Sequence, residues 1–318
     1  MEVSTKDVIL VTGASGFFGM NVLQVLNKRY ANSKIVAVNS KEYDLRNELD
    51  CSKMFDKIKP TLVIHLAGKV GGILANKKYP VEFYNDNILI NTLVFKHAYE
   101  NKVKKLVTAM GGCSYPANAS SPISEDQMWN GYPQEESAAY SIAKKMVLVQ
   151  SKAYRKEYGF NSVVMIPGNM YGEYDNFTLE GSHVIPAMIR KMYDAVHNGS
   201  NEVTFFGTGK PQRDFVYVKD VAACVPFFIE EYESSEPINI SSGNTTEIKN
   251  LISVISEKIG FKGQIEWDLS KPDGQMVKIF SVERMRKLSI SCDTPLEVGI
   301  ENTINWFLKN IRLNQVRI

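Results

Sequence analysis

The stretch VTGASGFFG, from Val11 to Gly19, decides the fold because it sets three glycines between an apolar run and a helical pattern. Glycines at this spacing permit a tight turn, close approach of the backbone to a pyrophosphate, and tight packing of helix on strand. The helix that opens there offers free N–H groups and its positive dipole end to phosphates. A preceding strand and a following helix favour a dinucleotide site over a plain tight turn. We expect cofactor contacts from Gly13, Ser15, Gly16, Phe17, Phe18 and Gly19.

Apolar runs alternate with helical patterns on both sides of this turn. Short apolar runs predict strands at Val8–Gly13, Lys34–Asn39, Leu62–Gly68, Lys105–Met110 and Asn161–Pro167. Helical periodicity covers Gly19–Tyr30, Val81–Asn101 and Ala138–Gly159. This alternation predicts an α/β protein with a Rossmann-type, doubly wound parallel sheet. We expect a dinucleotide-binding domain over residues 1–170. A smaller C-terminal α/β lobe over 171–318 is expected to bind substrate, with some of its segments returning to the sheet.

Composition excludes several functional classes. The formal net charge of +2 gives no case for a nucleic-acid partner, and no apolar run reaches the length of a membrane span. The beginning of the chain shows no signal peptide. The cysteines Cys51, Cys113, Cys224 and Cys292 are scattered, which favours reduced thiols and a cytoplasmic location. The four histidines have no metal-ligand spacing, so we expect no metal.

The end of the second predicted strand bears on the choice of cofactor. An NAD site usually carries a carboxylate about 20 residues beyond the glycine turn, where it binds the ribose 2′-OH. Here the strand ends at Asn39, followed by Ser40 and Lys41. The missing carboxylate and the nearby cation favour NADP(H), with NAD(H) as the alternative if Lys41 is only a solvated loop charge. Asp44 and Leu45 are expected near the adenine edge.

Tyr140 and Lys144 are spaced for proton transfer. Residues four apart share one face of a helix, and a neighbouring ammonium favours the phenolate, which predicts a lowered pKa for Tyr140. Such a tyrosine can exchange a proton with an alcohol or ketone while hydride moves to or from nicotinamide. The pair gains weight because it follows a dinucleotide turn.

Longer stretches carry a family resemblance. They are HLAGKVGGILANKKYPVEFYNDN (His65–Asn87), CSYP, WNGYP, YSIAKK, NMYGEYDNF, SHVIPAMIRK (Ser182–Lys191), GTGKPQRDFVYVKDV and SKPDGQMVK (Ser270–Lys278). With these the chain resembles the extended short-chain dehydrogenase/reductases nearly end to end. Among them it is most similar to the branch that epimerises and reduces GDP-4-keto-6-deoxymannose. The SHVIPA and KPDG stretches are more specific than the glycine turn.

The resemblance implies roles for individual residues. Tyr140 and Lys144 match the hydride-step pair, while Cys113 and His183 match the two acid/base groups that epimerise the carbons flanking a keto group. A 4-keto group acidifies the protons on C3 and C5, so groups on opposite faces can exchange them. The implied cofactor site extends to Leu66, Ala67, Gly68, Pro167 and Asn169. The implied substrate site holds Asn169, Ser182, Val184, Lys191, Phe206, Arg213 and Lys278.

Other interpretations of these residues stay open. Cys113 could be a small buried hydrophobe, His183 a surface histidine that starts a helix, and Arg213 the partner of a nearby acid. At the level of function, the main hypothesis is an NADP(H)-dependent epimerase, 4-keto reductase or both, acting on a GDP-linked sugar. The alternatives are a GDP-hexose or GDP-heptose dehydrogenase/epimerase with tightly bound cofactor, and a non-catalytic cofactor-binding regulator. The resemblance also implies a homodimer built on the helices Val81–Asn101 and Ala138–Gly159.

Gly111 departs from the family pattern. The relatives carry Gly-Ser-Ser-Cys where this chain has Met110-Gly111-Gly112-Cys113, and the first serine of that pattern binds the C4 oxygen of the substrate. Losing one donor to a developing charge typically costs about 2.7–4 kcal/mol. The sequence therefore predicts a live enzyme with altered machinery at this position.

Overall fold

The computed structural model describes residues 1–179, 181–271 and 273–318. Glu180, and Pro272 of the KPDG stretch, lie outside the described residues. The first half alternates strands and helices in the predicted order. Its elements are β1 (Val8–Thr12), α1 (Phe17–Arg29), β2 (Lys34–Val38), α2 (Glu48–Ile58), β3 (Leu62–His65), α3 (Ile73–Lys78), α4 (Pro80–Glu100), β4 (Lys105–Ala109), α5 (Ala138–Tyr158) and β5 (Ser162–Pro167).

The second half has shorter strands between its helices. Its elements are β6 (Asn169–Tyr171), α6 (Val184–His197), β7 (Glu202–Phe206), β8 (Gln212–Arg213), β9 (Phe215–Tyr217), α7 (Val218–Glu230), β10 (Ile238–Ile240), β11 (Thr246–Glu247), α8 (Ile248–Ile259), β12 (Gln264–Asp268), β13 (Val277–Lys278), α9 (Glu283–Lys287) and α10 (Leu296–Ile311).

A six-stranded sheet in the order β10-β5-β4-β3-β1-β2 forms the centre of the molecule, and all its pairings are parallel. The order runs outward from β1 in both directions, which is the doubly wound arrangement. The central strands β3 and β5 are buried along their whole length, as expected of parallel strands covered by helices on both faces. The predicted fold class is confirmed.

Chain segments after residue 170 build the rest of the molecule. Strand β10 returns to the central sheet beside β5, while β8, β11 and β13 form a separate three-stranded sheet. An apolar cluster of buried side chains joins α6, α8 and α10 around residues such as Ile189, Leu251 and Phe307. The domain boundary near residue 170 stays a prediction.

The predicted strand Leu62–Gly68 is too long. It ends at His65 because the next residues wrap around the glycine turn: a Cβ on Gly13 would lie only 2.6 Å from the Ala67 nitrogen. The other long elements match within one or two residues. Helix α5 ends at Tyr158, and its C-cap Gly159 adopts φ +66°, a left-handed conformation that glycine adopts without a steric penalty.

No helix among the described residues is long and apolar enough to span a bilayer.

Candidate active site

The glycine turn is tight enough to exclude side chains at two of its three glycines. Gly13 has φ +67°, and a Cβ on Gly19 would come within 2.2 Å of the Gly13 carbonyl. A Cβ on Gly16 would meet only the Gly13 carbonyl, at 3.0 Å. Gly16 is therefore the glycine whose outer side stays open to a ligand, as a phosphate-binding turn requires.

The start of α1 fits a diphosphate. Its N-cap is Gly16, without a side-chain cap, and its first turn carries no acidic residue. The N–H groups of Phe17 and Phe18 thus lack the side-chain acceptor that usually satisfies a helix start. Uncapped N–H groups at the positive end of a helix dipole bind anions well. The described residues therefore fit the pyrophosphate of a nicotinamide dinucleotide, which supplies or accepts hydride when bound.

The end of β2 holds an arrangement that the sequence did not suggest. Glu42 Oε2 accepts hydrogen bonds from the Asn39 backbone N–H at 3.3 Å and from Asn39 Nδ2 at 3.0 Å. Ser40 and Lys41 are exposed beside it. The Arg46 guanidinium donates hydrogen bonds to Asp44 and lowers the pKa of this carboxyl, whose side chain is 41% exposed. Its expected contact with an adenine stays a prediction. Leu45 is buried.

The loop after β3 brings a third predicted cofactor segment to the site. A Cβ on Gly68 would lie 2.8 Å from Asn87 Oδ1 and 3.6 Å from Lys144 Nζ. Asn87 Oδ1 is buried and has no hydrogen-bond partner among the described residues. Sequence reasoning missed Asn87, although a polar side chain on the buried face of α4 is a usable signal. Leu66 and Ala67 precede Gly68 and pack against the glycine turn. Pro167 is the last residue of β5, and Asn169 is the first residue of β6.

Tyr140 and Lys144 lie one turn apart on α5, as predicted, and both side chains are buried. The predicted lowering of the Tyr140 pKa is wrong. Burial raises the pKa of Tyr140, and a Cys113 thiolate would raise it further. Burial also lowers the pKa of Lys144 to about 8. Desolvation outweighs the mutual effect of the pair, so Tyr140 is a neutral phenol that is ready to donate a proton.

Gly111 faces the two reactive side chains. A Cβ at this position would lie 3.1 Å from Cys113 Sγ and 3.7 Å from the Tyr140 hydroxyl. Its φ of −92° is ordinary for any residue. The neighbouring Gly112 differs, because a Cβ there would come within 2.4 Å of the Phe280 ring. A small side chain at position 111 would therefore lie between the thiol and the phenol and would press on the Cys113 thiol.

Two cations complete this side of the site. Lys278 on β13 pairs in register with Arg213 on β8. Burial lowers the pKa of Lys278, the charge of Cys113 opposes that shift, and Arg213 adds to it. Burial likewise lowers the pKa of Arg213. Two partly desolvated cations beside the thiol suit an anionic ligand such as a nucleotide diphosphate.

His183 is the N-cap residue of α6. Its Nδ1 lies 3.9 Å from Oδ1 of Asp175, a carboxylate that is only 3% exposed, whereas the imidazole is 50% exposed. Asp175 raises the pKa of His183 more than burial lowers it. Asp175 Oδ2 has no hydrogen-bond partner among the described residues. Asp175 lies in the NMYGEYDNF stretch, but the sequence alone predicted no role for this residue.

The loop at residues 71–72 contacts both the segment before His183 and the Phe83 ring that packs on Tyr140. The Gly72 N–H donates to the Gly181 carbonyl at 3.3 Å, next to Ser182. A Cβ on Gly71 would touch the Phe83 ring at 3.0 Å, and that ring packs edge-on against Tyr140 with centroids 6.0 Å apart. These contacts join the segment that precedes His183 to the ring beside Tyr140, and no described contact joins His183 directly to Cys113 or Tyr140. A shared site for the three residues stays a prediction.

The remaining predicted substrate residues lie on β6, α6 and β7. Val184 is exposed directly after His183. Lys191 Nζ donates to the Thr204 carbonyl and lies 5.8 Å from the centroid of the Phe206 ring, which is 68% exposed. Lys191 and Phe206 thus form a second group. Asn169 Nδ2 donates to the Asp214 carbonyl at 2.8 Å. These roles in binding substrate stay predictions.

His65 belongs to the support of the site. Its Nδ1 lies 2.8 Å from Thr12 Oγ1 and its Nε2 3.1 Å from Asn91 Oδ1. Burial, together with the charge of Lys144, lowers the pKa of His65 to about 3. This histidine is therefore neutral, which agrees with a structural role.

Comparisons with known proteins find similarity over nearly the whole chain. The model of the NAD dependent epimerase/dehydratase family matches residues 9–241. The GDP-L-fucose synthase of Dictyostelium discoideum is 37% identical over 313 residues, covering 97% of this chain and 98% of that protein. GDP-L-fucose synthase 1 of Arabidopsis thaliana is 36% identical over 303 residues, covering 95% and 94%. The crystal structure of a GDP-L-fucose synthetase from Naegleria fowleri bound to NADP has a TM-score of 0.92 at 33% identity, covering 100% and 98%.

Proposed function

This chain belongs to the NAD dependent epimerase/dehydratase family, and from that membership we propose that it epimerises and reduces a GDP-linked 4-keto sugar with NADP(H). The predicted resemblance to the extended short-chain dehydrogenase/reductases, in the branch of the GDP-L-fucose synthases, is confirmed. NADP(H) as cofactor is supported by the NADP-bound relative and by the uncapped start of α1.

One observation carries the proposal: Gly111 lies between the Cys113 thiol and the Tyr140 hydroxyl, with Lys144 one helical turn beyond Tyr140. Epimerisation needs an acid/base group beside the sugar ring, and 4-keto reduction needs a proton donor beside the same ring. A non-catalytic regulator has no physical need for this convergence, so the geometry favours an enzyme.

The residues divide the proton chemistry between two stages. During epimerisation, one of Cys113 and His183 takes the proton on C3 or C5, and the other returns a proton from the opposite face. During reduction, Tyr140 gives its phenolic proton to the C4 oxygen as hydride reaches C4. Lys144 then stabilises the phenolate that remains. Arg213 and Lys278 hold the negative diphosphate of the substrate.

A panel of GDP-linked 4-keto sugars tests the function. The expected result is oxidation of NADPH by at least one of them, with a product two mass units heavier than the substrate. The panel includes hexoses and heptoses, because the alternative is a GDP-hexose or GDP-heptose dehydrogenase/epimerase. Turnover of reduced GDP-sugars without added cofactor would favour that alternative, and no turnover with any GDP-sugar would contradict the proposal.

Restoring a hydroxyl at position 111 is expected to speed the hydride step. In Gly111→Ser the new Oγ can reach the C4 oxygen between Cys113 and Tyr140, and one such donor is worth about 2.7–4 kcal/mol at most. We expect kcat to rise about tenfold, less than this full amount because a bridging water can replace part of such a lost bond in the natural chain.

Gly111→Ala is the matched control, because it adds the same Cβ without the oxygen. We expect its kcat to stay at or below that of the natural chain. Single-turnover NADPH oxidation is the measurement that isolates the step. If serine is no faster than alanine, the missing donor does not limit this enzyme.

We also propose a homodimer through α4 and α5. The two helices run side by side and leave a groove of about 270 Å³ between them, away from the glycine turn. Its lining is mostly apolar and includes Ile88, Met146 and Val149. An exposed apolar groove on two long helices suits a second copy of the same pair, packed as a four-helix bundle.

Val149→Asp is expected to convert the dimer to a monomer, because it puts a charge into that contact. Val298→Asp on α10 is the control, since Val298 is about as exposed, 48% against 51% for Val149. Size-exclusion chromatography with light scattering gives the mass of each variant. A natural chain that is monomeric at micromolar concentration would contradict the proposal.

A cytoplasmic location is a further part of the proposal. The free thiols of Cys51, Cys113, Cys224 and Cys292 support a reducing compartment.

A further inference from the structure

The last residues of the chain return to the glycine turn. The guanidinium Nη2 of Arg317 donates to the carbonyl of Ser15, 302 positions earlier. The backbone of Arg317 is fixed elsewhere: it forms a parallel bridge with Asn176, and its carbonyl accepts the Phe177 N–H at 2.8 Å. One residue therefore joins the loop that precedes His183 to the turn that fits the cofactor.

The segment that holds Arg317 is itself packed on α1. Asn21 Nδ2 donates to the Glu173 carbonyl at 3.0 Å, and Gln24 Nε2 donates to the Tyr174 hydroxyl at 2.9 Å. Because the segment at 173–177 is attached to α1, the reach of the Arg317 side chain toward the turn is set by the fold. Its guanidinium stays exposed to solvent and accessible to a ligand.

Ser15 lies near the expected position of the adenosine ribose of a bound dinucleotide. The Ala14 N–H donates to the Val38 carbonyl at 3.4 Å, and Val38 pairs with Thr12 at the carboxyl end of β2. In this fold the group after β2 selects between a ribose 2′-OH and a 2′-phosphate. The Arg317 head is therefore near the point where the two cofactors differ.

Lys41 is exposed at this edge, and a second cation would strengthen binding of a doubly charged 2′-phosphate. Glu42 occupies the Asn39 donors, so those N–H groups do not serve the phosphate. Arg46 is held by Asp44 and by Asp86. Arg317, like Lys41, has no carboxylate partner among the described residues, and its guanidinium is bound only to a neutral carbonyl. A carbonyl is a weak partner that an anion readily replaces.

We propose that Arg317 binds the 2′-phosphate of NADP(H) and thereby sets the preference for NADP(H) over NAD(H). A planar guanidinium matches phosphate oxygens in pairs and stays charged at all working pH values. Since the backbone of Arg317 pairs with Asn176, the same contact attaches the phosphate to the loop that leads to His183. The inference requires NADP(H) binding but holds whichever sugar is the substrate.

Titration of Arg317→Gln with NADPH and with NADH, followed by nicotinamide fluorescence, tests this inference without any sugar. We expect the NADPH Kd to rise about tenfold, the loss of one charge-assisted contact, and the NADH Kd to change less than about twofold. Added salt should weaken NADPH binding more in the natural chain than in the variant. Arg312→Gln, an exposed arginine just after α10, should behave like the natural chain.

Two results would overturn the proposal. An unchanged NADPH Kd would show that Arg317 makes no contact with the cofactor. Equal weakening of NADPH and NADH would mean that Arg317 acts on the pyrophosphate or only holds the glycine turn. Both readouts are independent of turnover, so a chain inactive on every GDP-sugar would still test the inference.

Discussion

Tyr140→Phe is expected to lower the rate of hydride transfer by about 10²–10⁴-fold, the usual contribution of a positioned proton donor. The phenol is buried, and burial keeps it protonated. Phenylalanine retains the ring that packs edge-on against Phe83, so the variant loses the hydroxyl and little else. Reduction then leaves the developing negative charge on the C4 oxygen without a proton.

Single-turnover oxidation of NADPH measures the loss, and calorimetric titration with the GDP-sugar shows whether binding survives. Tyr158→Phe is the matched control, because Tyr158 is on the same helix and is partly exposed near its end. We expect Tyr158→Phe to keep full turnover. A Tyr140→Phe enzyme with most of its turnover would assign proton donation to another group.

Cys113→Ser and His183→Gln are expected to have the second largest effect, on exchange of ring protons with solvent. In deuterated water the natural chain should incorporate deuterium at C3 and C5 of a 4-keto substrate. Each variant should slow exchange at C3 and at C5 by about 10²–10⁴-fold, because each removes one of the two acid/base groups that act on both carbons. Nuclear magnetic resonance of the recovered sugar shows the two positions separately.

The pH dependence of exchange tests the proton-donating role of His183 further. Asp175 raises the pKa of His183, so the imidazole stays protonated to higher pH than a free one. The step in which His183 donates a proton should therefore decline only above that raised pKa, and Asp175→Asn should move the decline to lower pH. His197→Gln, at the far end of α6, is the control. Unchanged exchange in Cys113→Ser and in His183→Gln would leave both residues with structural roles.

The sequence predicted those parts of the fold that depend on local pattern. The glycine turn, the parallel strands and the shared face of Tyr140 and Lys144 follow from spacing along the chain. The pKa of Tyr140 did not, because it depends on burial that only tertiary packing sets. Roles for Asp175 and Asn87 were not predicted, for a related reason. Both side chains are polar and buried, but only the tertiary fold brings Asp175 near His183 and Asn87 near Gly68.

The contacts of Arg317 were outside the reach of pattern reasoning as well. Nothing in the last residues of the chain points to the first turn, and the hydrogen bond between them spans the whole length of the protein. The absence of a carboxylate after β2 suggested NADP(H), but the positive charge was assigned to Lys41. The structure pairs Glu42 with Asn39 and brings a second cation, Arg317, to the Ser15 carbonyl.

The two adjacent glycines after β4 also have unequal freedom to change. Any side chain at Gly112 would collide with the Phe280 ring, 2.4 Å from its Cβ, whereas a side chain at Gly111 would first meet the Cys113 thiol, 3.1 Å from its Cβ. In a saturation library, position 112 should therefore return glycine almost alone, while position 111 should return several residues sorted by the sugar supplied. Directed evolution toward new sugars has one adjustable position here and, next to it, one that must be left untouched.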